Sequence, residues 1–281
     1  MNKIIVSVLV ISAFAFSTKA QVSKSFIEKV SIGVSYGITK PQGKFGDKHF
    51  SYLSPNNLGA FTEGEIPDVS LADFLDNSFA KQGNQFSVFA EYDKDEHFGA
   101  YLQWTNSEFN LYESEIQSLE LLFNQFLEGQ SELITEIGLR VTEWKSNSIV
   151  IGPKVKQSYG KFSIHAKAGV GVLMLESPTF TAGVNEILGL PIRIDAVTIP
   201  EVSQSSFIYS LGLATQYEVL NKTSLRIAMD YSKSNVKMKD ISIQPISSEI
   251  ELEIPLEFSK PVEIDVDYQT LNFSLAIIRN I

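Results

Sequence analysis

The sequence predicts an all-β chain: an eight-stranded antiparallel up-and-down transmembrane β-barrel with long, partly helical extracellular loops. Three observations predict it. Eight segments alternate bulky apolar with small polar residues at a period of two, which gives a strand two distinct environments. Short and long connections alternate between them. Tight turns lie at Asp93–His97, Gln157–Lys161 and Val219–Thr223, and long excursions at Pro41–Asn84, Tyr112–Asn147, Glu176–Ser205 and Lys239–Asp265. The polar face, finally, is built from Gly, Ser and Ala with a few charges. That suits a crowded lumen better than bulk water, which draws more Lys and Glu.

Each strand follows from its own alternation. In the first, Val30, Ile32, Val34, Tyr36 and Ile38 oppose Ser31, Gly33, Ser35, Gly37 and Thr39. The second, third and fourth are less regular: Phe86/Val88/Ala90/Tyr92, Phe98/Ala100/Leu102/Trp104 and Ile149/Ile151/Val155. The fifth sets Phe162 to Met174 against Ser163, His165, Lys167, Gly169 and Gly171. Phe207 to Tyr217 form the sixth, and Leu225, Ile227, Met229 and Tyr231 the seventh. In the eighth, Leu271, Phe273, Leu275 and Ile277 oppose Thr270, Asn272, Ser274 and Ala276. About 9–11 tilted residues cross a bilayer's hydrocarbon, and Tyr36, Tyr92, Trp104, Tyr217, Tyr231 and Tyr268 fall near strand ends, where aromatic girdles sit.

The ends point to export. Residues 1–20 read as a signal peptide: Lys3 is followed by an apolar run, Ile4–Phe16, too short to span a membrane as a helix, and cleavage is expected after Ala20. Residues 21–281 then form one barrel domain. The chain has no cysteine, hence no disulfide staple. Net charge is −10, and the four excursions hold 24 of the 33 acidic residues, so the negative charge gathers at the long-loop end. Such a field argues against nucleic acid as a partner. Expected partners are outer-membrane lipid and, through the loops, an extracellular or envelope protein.

Short periplasmic turns with long extracellular loops are the habit of bacterial outer-membrane barrels. The terminal strand, through Tyr268, Leu271, Phe273, Leu275, Ile277 and Ile281, resembles their sorting signal, though it ends in Ile rather than Phe or Trp. With this architecture and the signal peptide, the chain resembles the eight-stranded outer-membrane barrels of the Bacteroidota, related to OmpA-type and PorT-like barrel domains. The likeness spans nearly all of residues 21–281. It implies a place in the outer membrane with both termini periplasmic, and implies little about activity.

Chemistry has few places to hide. Glu91, Lys154, His165, Lys167, Arg226 and Asp230 are the ionisable residues expected to face the lumen. They read as ion pairs plugging a narrow barrel, because an isolated buried charge is costly; a polar pore is the competing reading. His49, His97 and His165 lie at different levels, and no catalytic triad, metal-ligand spacing or phosphate loop is readable. No catalytic residue, cofactor or metal is therefore expected. The loops are the expected functional surface. Apolar faces predict helical pieces at Val69–Ala80 and Ser114–Gly129, while Pro191–Ile199 and Glu249–Phe258 read as strand-like. The leading expectation is a non-enzymatic surface barrel that binds a partner or ligand, or supports the envelope; the alternatives are a small channel for polar solutes and, third, a hydrolase at the outer rim.

Overall fold

The computed structural model describes residues 29–47, 78–113, 116, 117, 120, 134–187, 190–242, 244–245 and 261–281. Eight strands close into a barrel: β1 (Val30–Pro41), β2 (Ala80–Asp93), β3 (Phe98–Leu111), β5 (Trp144–Tyr159), β6 (Phe162–Glu176), β9 (Ser203–Leu220), β10 (Thr223–Ile241) and β12 (Val262–Asn280). All eight pair antiparallel with their neighbours, and β12 returns to β1. Closure leaves the barrel no free edge. Following paired residues once round the ring from Ser31 leads back to Pro41, a stagger of ten residues. Over eight strands that stagger sets a tilt of about 40°, leaving roughly 2.5 Å of axial rise per residue.

The turn end is trimmed by local chemistry. Between β2 and β3, Asp95 Oδ1 accepts hydrogen bonds from the backbone N–H groups of His97 (2.9 Å) and Phe98 (2.8 Å), closing the turn. These two N–H groups hold the Asp95 carboxyl below its ordinary range, His97 contributing most. The β5–β6 turn places Gly160 at φ +61°, a left-handed conformation that glycine adopts without strain.

The long-loop end is not a set of independent loops. A second sheet takes β4 (Ile134–Val141) from the second excursion, the hairpin β7 (Phe180–Ile187) and β8 (Leu190–Ile199) from the third, and β11 (Gln244–Pro245) from the fourth, in the order β11–β8–β7–β4. Its base is tied to the chain leaving the barrel. Thr142 N–H donates to Thr179 O (3.0 Å), and Ser177 and Val202 exchange two bonds of 2.9 Å. On β4, the Leu139 N–H is met by the Glu120 carboxylate at 2.8 Å, which occupies one donor of an edge strand.

The described residues do not support long helical loops, though they include few of the positions where helix is expected. Pro191–Ile199 is strand, as its alternation suggests, but the described parts of the excursions are chiefly strand rather than helix. Among the described residues helical backbone appears only at Glu113, Ile116, Gln117, Glu120 and a single 3-10 turn, Gly43–Gly46. Of the Val69–Ala80 piece only the last three residues are described: Ser78 and Phe79 are irregular, and Ala80 opens β2. The signal peptide, Glu249–Phe258 and most of Ser114–Gly129 lie outside the described residues.

The two faces of the barrel exchange chemistry partway up. From the turn end the outward residues are apolar and exposed, as with Ile32, Leu102, Ile151, Leu211, Ile227 and Leu275. They make a band roughly 20–25 Å tall, the height of an outer-membrane barrel's apolar belt. The band stops at an outward collar of Lys40, Asn84, Asn106, Asn147, Lys233 and Gln269. Above that level the inward residues turn apolar: Phe109, Trp144, Leu173, Leu175, Val236, Met238, Val266 and Tyr268 form one buried cluster. Outside it, Lys233, Lys237 and Lys239 on β10 face Asp267, Asp265 and Glu263 on β12 at 3.3–3.9 Å. The barrel is thus inside-out along its apolar belt and has an apolar interior above it.

Candidate functional site: a lumen closed at two levels

The lower closure grows from alternation. Glu91 on β2, Lys154 on β5, and Arg226 on β10 all fall on the inward parity and meet across the lumen. Arg226 grips Glu91 with both ends of its guanidinium, Nη1 to Oε1 at 2.5 Å and Nη2 to Oε2 at 2.8 Å. Lys154 Nζ donates to Glu91 Oε2 at 2.6 Å, and Gln216 Oε1 accepts from Arg226 Nη2 at 2.8 Å. The Glu91 and Lys154 side chains are each only 3% exposed, so water screens the pair little. Asp93 sits on the inward parity two residues beyond Glu91 and extends the cluster, 2.6 Å from Lys154 Nζ and 3.4 Å from Lys156 Nζ. Sequence reasoning missed it, although the same alternation marks it.

A second pair lies higher. Lys167 Nζ donates to Gln103 Oε1 at 2.7 Å and to Asp230 Oδ2 at 3.2 Å, and lies 5.3 Å from the centre of the Tyr101 ring. The six residues singled out in the sequence therefore divide. Glu91, Lys154 and Arg226 form one cluster, Lys167 and Asp230 another, and His165 joins neither by a hydrogen bond.

His165 instead meets Ser163, Oγ to Nε2, at 2.9 Å. Its buried Nδ1 has no hydrogen-bond partner. A nucleophile–base pair needs a third group to orient the base, and none holds Nδ1 here. His97 lies in a turn, hydrogen-bonded to Lys156 O. Among the described residues no group of three or more His, Asp or Glu side chains could hold a metal ion.

The upper closure is aromatic. Phe45, carried by the 3-10 turn Gly43–Gly46, is fully buried. Its ring centre lies 5.2 Å from that of Phe109, 5.6 Å from that of Trp144 and 5.0 Å from that of Tyr268. Trp144 Nε1 donates to Ser78 O at 2.6 Å, which ties the strand below the second sheet to the chain entering β2. Neither Phe45 nor Trp144 stands out in the sequence, because each is a lone aromatic beside a loop. Between the closures the lumen is lined by hydroxyls and amides, and the space left there is about 20 Å³.

By fold the chain is similar to Neisserial surface protein A (TM-score 0.40, 9% identity, covering 90% of this chain and 97% of that one). It is also similar to the outer membrane protein OprG from Pseudomonas aeruginosa (TM-score 0.40, 10% identity, 89% and 96% covered). A third is the outer membrane protease OmpT from Escherichia coli (TM-score 0.36, 9% identity, 93% and 100% covered). At these scores none of the three carries an argument. No curated protein matches the sequence. The sequence pattern of the outer membrane protein beta-barrel domain matches residues 6–276, and the chain belongs to that family of bacterial outer-membrane barrels.

Proposed function

We propose that this protein is a non-enzymatic, non-conducting surface barrel whose long-loop end binds an extracellular or envelope partner. The observation that carries the reading is the contrast between the two parts of the molecule. The lumen is closed by ion pairs and by aromatic rings, while three of the four excursions build an ordered sheet beyond the apolar belt. Ordering that much chain costs conformational entropy, and a sheet positions side chains far better than a free loop does. The acidic balance of the excursions favours a partner with a basic face.

In this reading the long-loop end faces outward, both termini are periplasmic, and outer-membrane lipid surrounds the belt. The strand count supports placement beside the OmpA-type and PorT-like barrels that the sequence resembles. The first test is heat-modifiable gel mobility of the refolded protein followed by planar-bilayer recording. A compact form before boiling, with no conductance steps, is expected. Stable unitary steps would overturn the non-conducting reading in favour of a channel for small polar solutes. Cleavage of the surface sheet by protease on intact cells tests the orientation.

A further inference from the structure

The apolar belt ends differently at its two edges. At the long-loop edge the outward bases of β10 are matched strand to strand, Lys233, Lys237 and Lys239 lying 3.3–3.9 Å from carboxylates on β12. At the turn edge one sector holds bases in excess. Lys161 lies in the β5–β6 turn, Lys222 in the β9–β10 turn and Arg279 near the end of β12, and all three are exposed. Glu218 is the one acid in residues 157–162, 216–224 and 277–281, and it falls on the inward parity of β9, paired with the buried Ser224. Arg279 follows Leu275 and Ile277 on the outward parity of β12. The backbone joins the sector: the Glu218 N–H donates to Lys161 O and the Asn280 N–H to Lys222 O, each at 2.9 Å, and Thr223 faces Arg279 across the β10–β12 ladder. Its strands β6, β9, β10 and β12 are neighbours in the ring. At about 4.8 Å per strand, the three bases share roughly 15 Å of rim.

Large apolar side chains stand beside these bases: Tyr159, Phe162, Tyr217 and Leu220 are 39–67% exposed. Rings and aliphatics next to Lys and Arg mark the depth where hydrocarbon gives way to headgroups, because long basic side chains lay their stems along apolar surface and carry the charge outward. Lys222 is held there against backbone preference. It takes φ +66°, a left-handed conformation costly for a residue with a Cβ, whereas the β5–β6 turn fills φ +61° with Gly160. The anion found at headgroup depth is lipid phosphate, which both the guanidinium fork and the ammonium suit. With bases in excess, a headgroup of net negative charge is favoured over a zwitterion. We propose that the sector of Lys161, Lys222 and Arg279 binds the phosphate of an anionic glycerophospholipid, of the phosphatidylglycerol type, in the leaflet on the turn side. The proposal rests on the reading of a lipid-surrounded belt and is independent of what the surface sheet binds.

The test places the refolded protein in bilayers of equal parts phosphatidylglycerol and phosphatidylcholine. Electron spin resonance of spin-labelled copies of each lipid then reads which one the barrel immobilises. One base near an anionic surface is worth up to about fivefold in affinity, and averaged round the belt a preference of about twofold for phosphatidylglycerol is expected. Lys161→Gln, Lys222→Gln and Arg279→Gln together should bring the two lipids to parity. Lys233→Gln, Lys237→Gln and Lys239→Gln together, at the other edge, should leave the preference in place. Parity in the wild type overturns the proposal, as does an unchanged preference in the folded rim variant or an equal loss in the variant of the other edge. Inorganic phosphate replacing chloride at the same ionic strength should change nothing; if it abolishes the preference, the sector binds free phosphate and not lipid. Heat-modifiable mobility checks folding. If the triple rim variant does not fold, Lys222→Gly removes one charge while relaxing the turn, and a preference it leaves undiminished overturns the proposal. Lipid immobilised without preference refutes the sector alone, whereas no immobilised lipid at all refutes the belt and the sector with it.

Discussion

Glu91 is the one acid that Arg226 and Lys154 share; Lys154 keeps Asp93 as a second partner, so removing Glu91 strands the buried Arg226 guanidinium. Breaking a buried pair from one side costs about 3–5 kcal/mol. Glu91→Gln should therefore lower the stability of the refolded barrel by about that much in urea titration from lipid vesicles. Arg226→Leu with Glu91→Leu together should cost far less, since no charge is then stranded. At the turn end, hydrogen bonds from His97 and Phe98 hold the Asp95 carboxyl low. A depressed acid stabilises the fold above its unfolded pKa of about 3.9, and that contribution fades as pH falls through the lower, folded value. The stability gap between wild type and Asp95→Ala should hence be constant near neutrality and narrow below about pH 4. A gap that widens on acidification would reverse the sign argued here.

Among the elements, the aromatic cap and the second sheet are the parts the sequence concealed. Phe45 is one residue in a long excursion, and only the fold brings Phe109, Trp144 and Tyr268 around it. Truncating a buried Phe typically costs 3–5 kcal/mol. Phe45→Ala should thus destabilise the long-loop half by about 3 kcal/mol and raise amide exchange at Val236 and Met238, while exchange near Arg226 stays slow. The sheet depends on pairing between excursions, β4 with β7 and β8 with β11, and such long-range partners leave no local periodicity to read. Replacing the β7–β8 hairpin by a short Gly-Ser linker should expose β4 to protease while heat-modifiable mobility persists. Protection of β4 after that deletion would mean the sheet is not the cooperative unit described.

At the scale of the whole molecule, the eight membrane strands were legible because each carries one simple rule, bulky outward and small inward. Their upper halves were not, since the rule inverts without a break in the chain. On β10 the outward series runs Leu225, Ile227, Met229, Tyr231 and then Lys233, Asn235, Lys237, while the inward series passes from Arg226 and Asp230 to Val236 and Met238. Periodicity persists and its polarity flips, which a reader of hydrophobic pattern takes for a strand end. The lumen charges were legible by the same parity, but their division into two clusters needed the stagger of the ring. The inversion also locates the bilayer. Arginine at Ile227 should destabilise the barrel by about 2–4 kcal/mol, and at Asn235 by about 0–1 kcal/mol. Equal costs at the two positions would mean that the collar does not mark the edge of the hydrocarbon.

One consequence concerns recognition by an immune system. A surface assembled from β4, β7, β8 and β11 sets side by side residues more than 40 positions apart in the chain, such as Leu139 with Ala182 and Gln244 with Thr198. Epitopes on such a surface are discontinuous. Antibodies raised against the folded protein should fail on denatured blots, and a synthetic copy of any single loop should make a poor antigen.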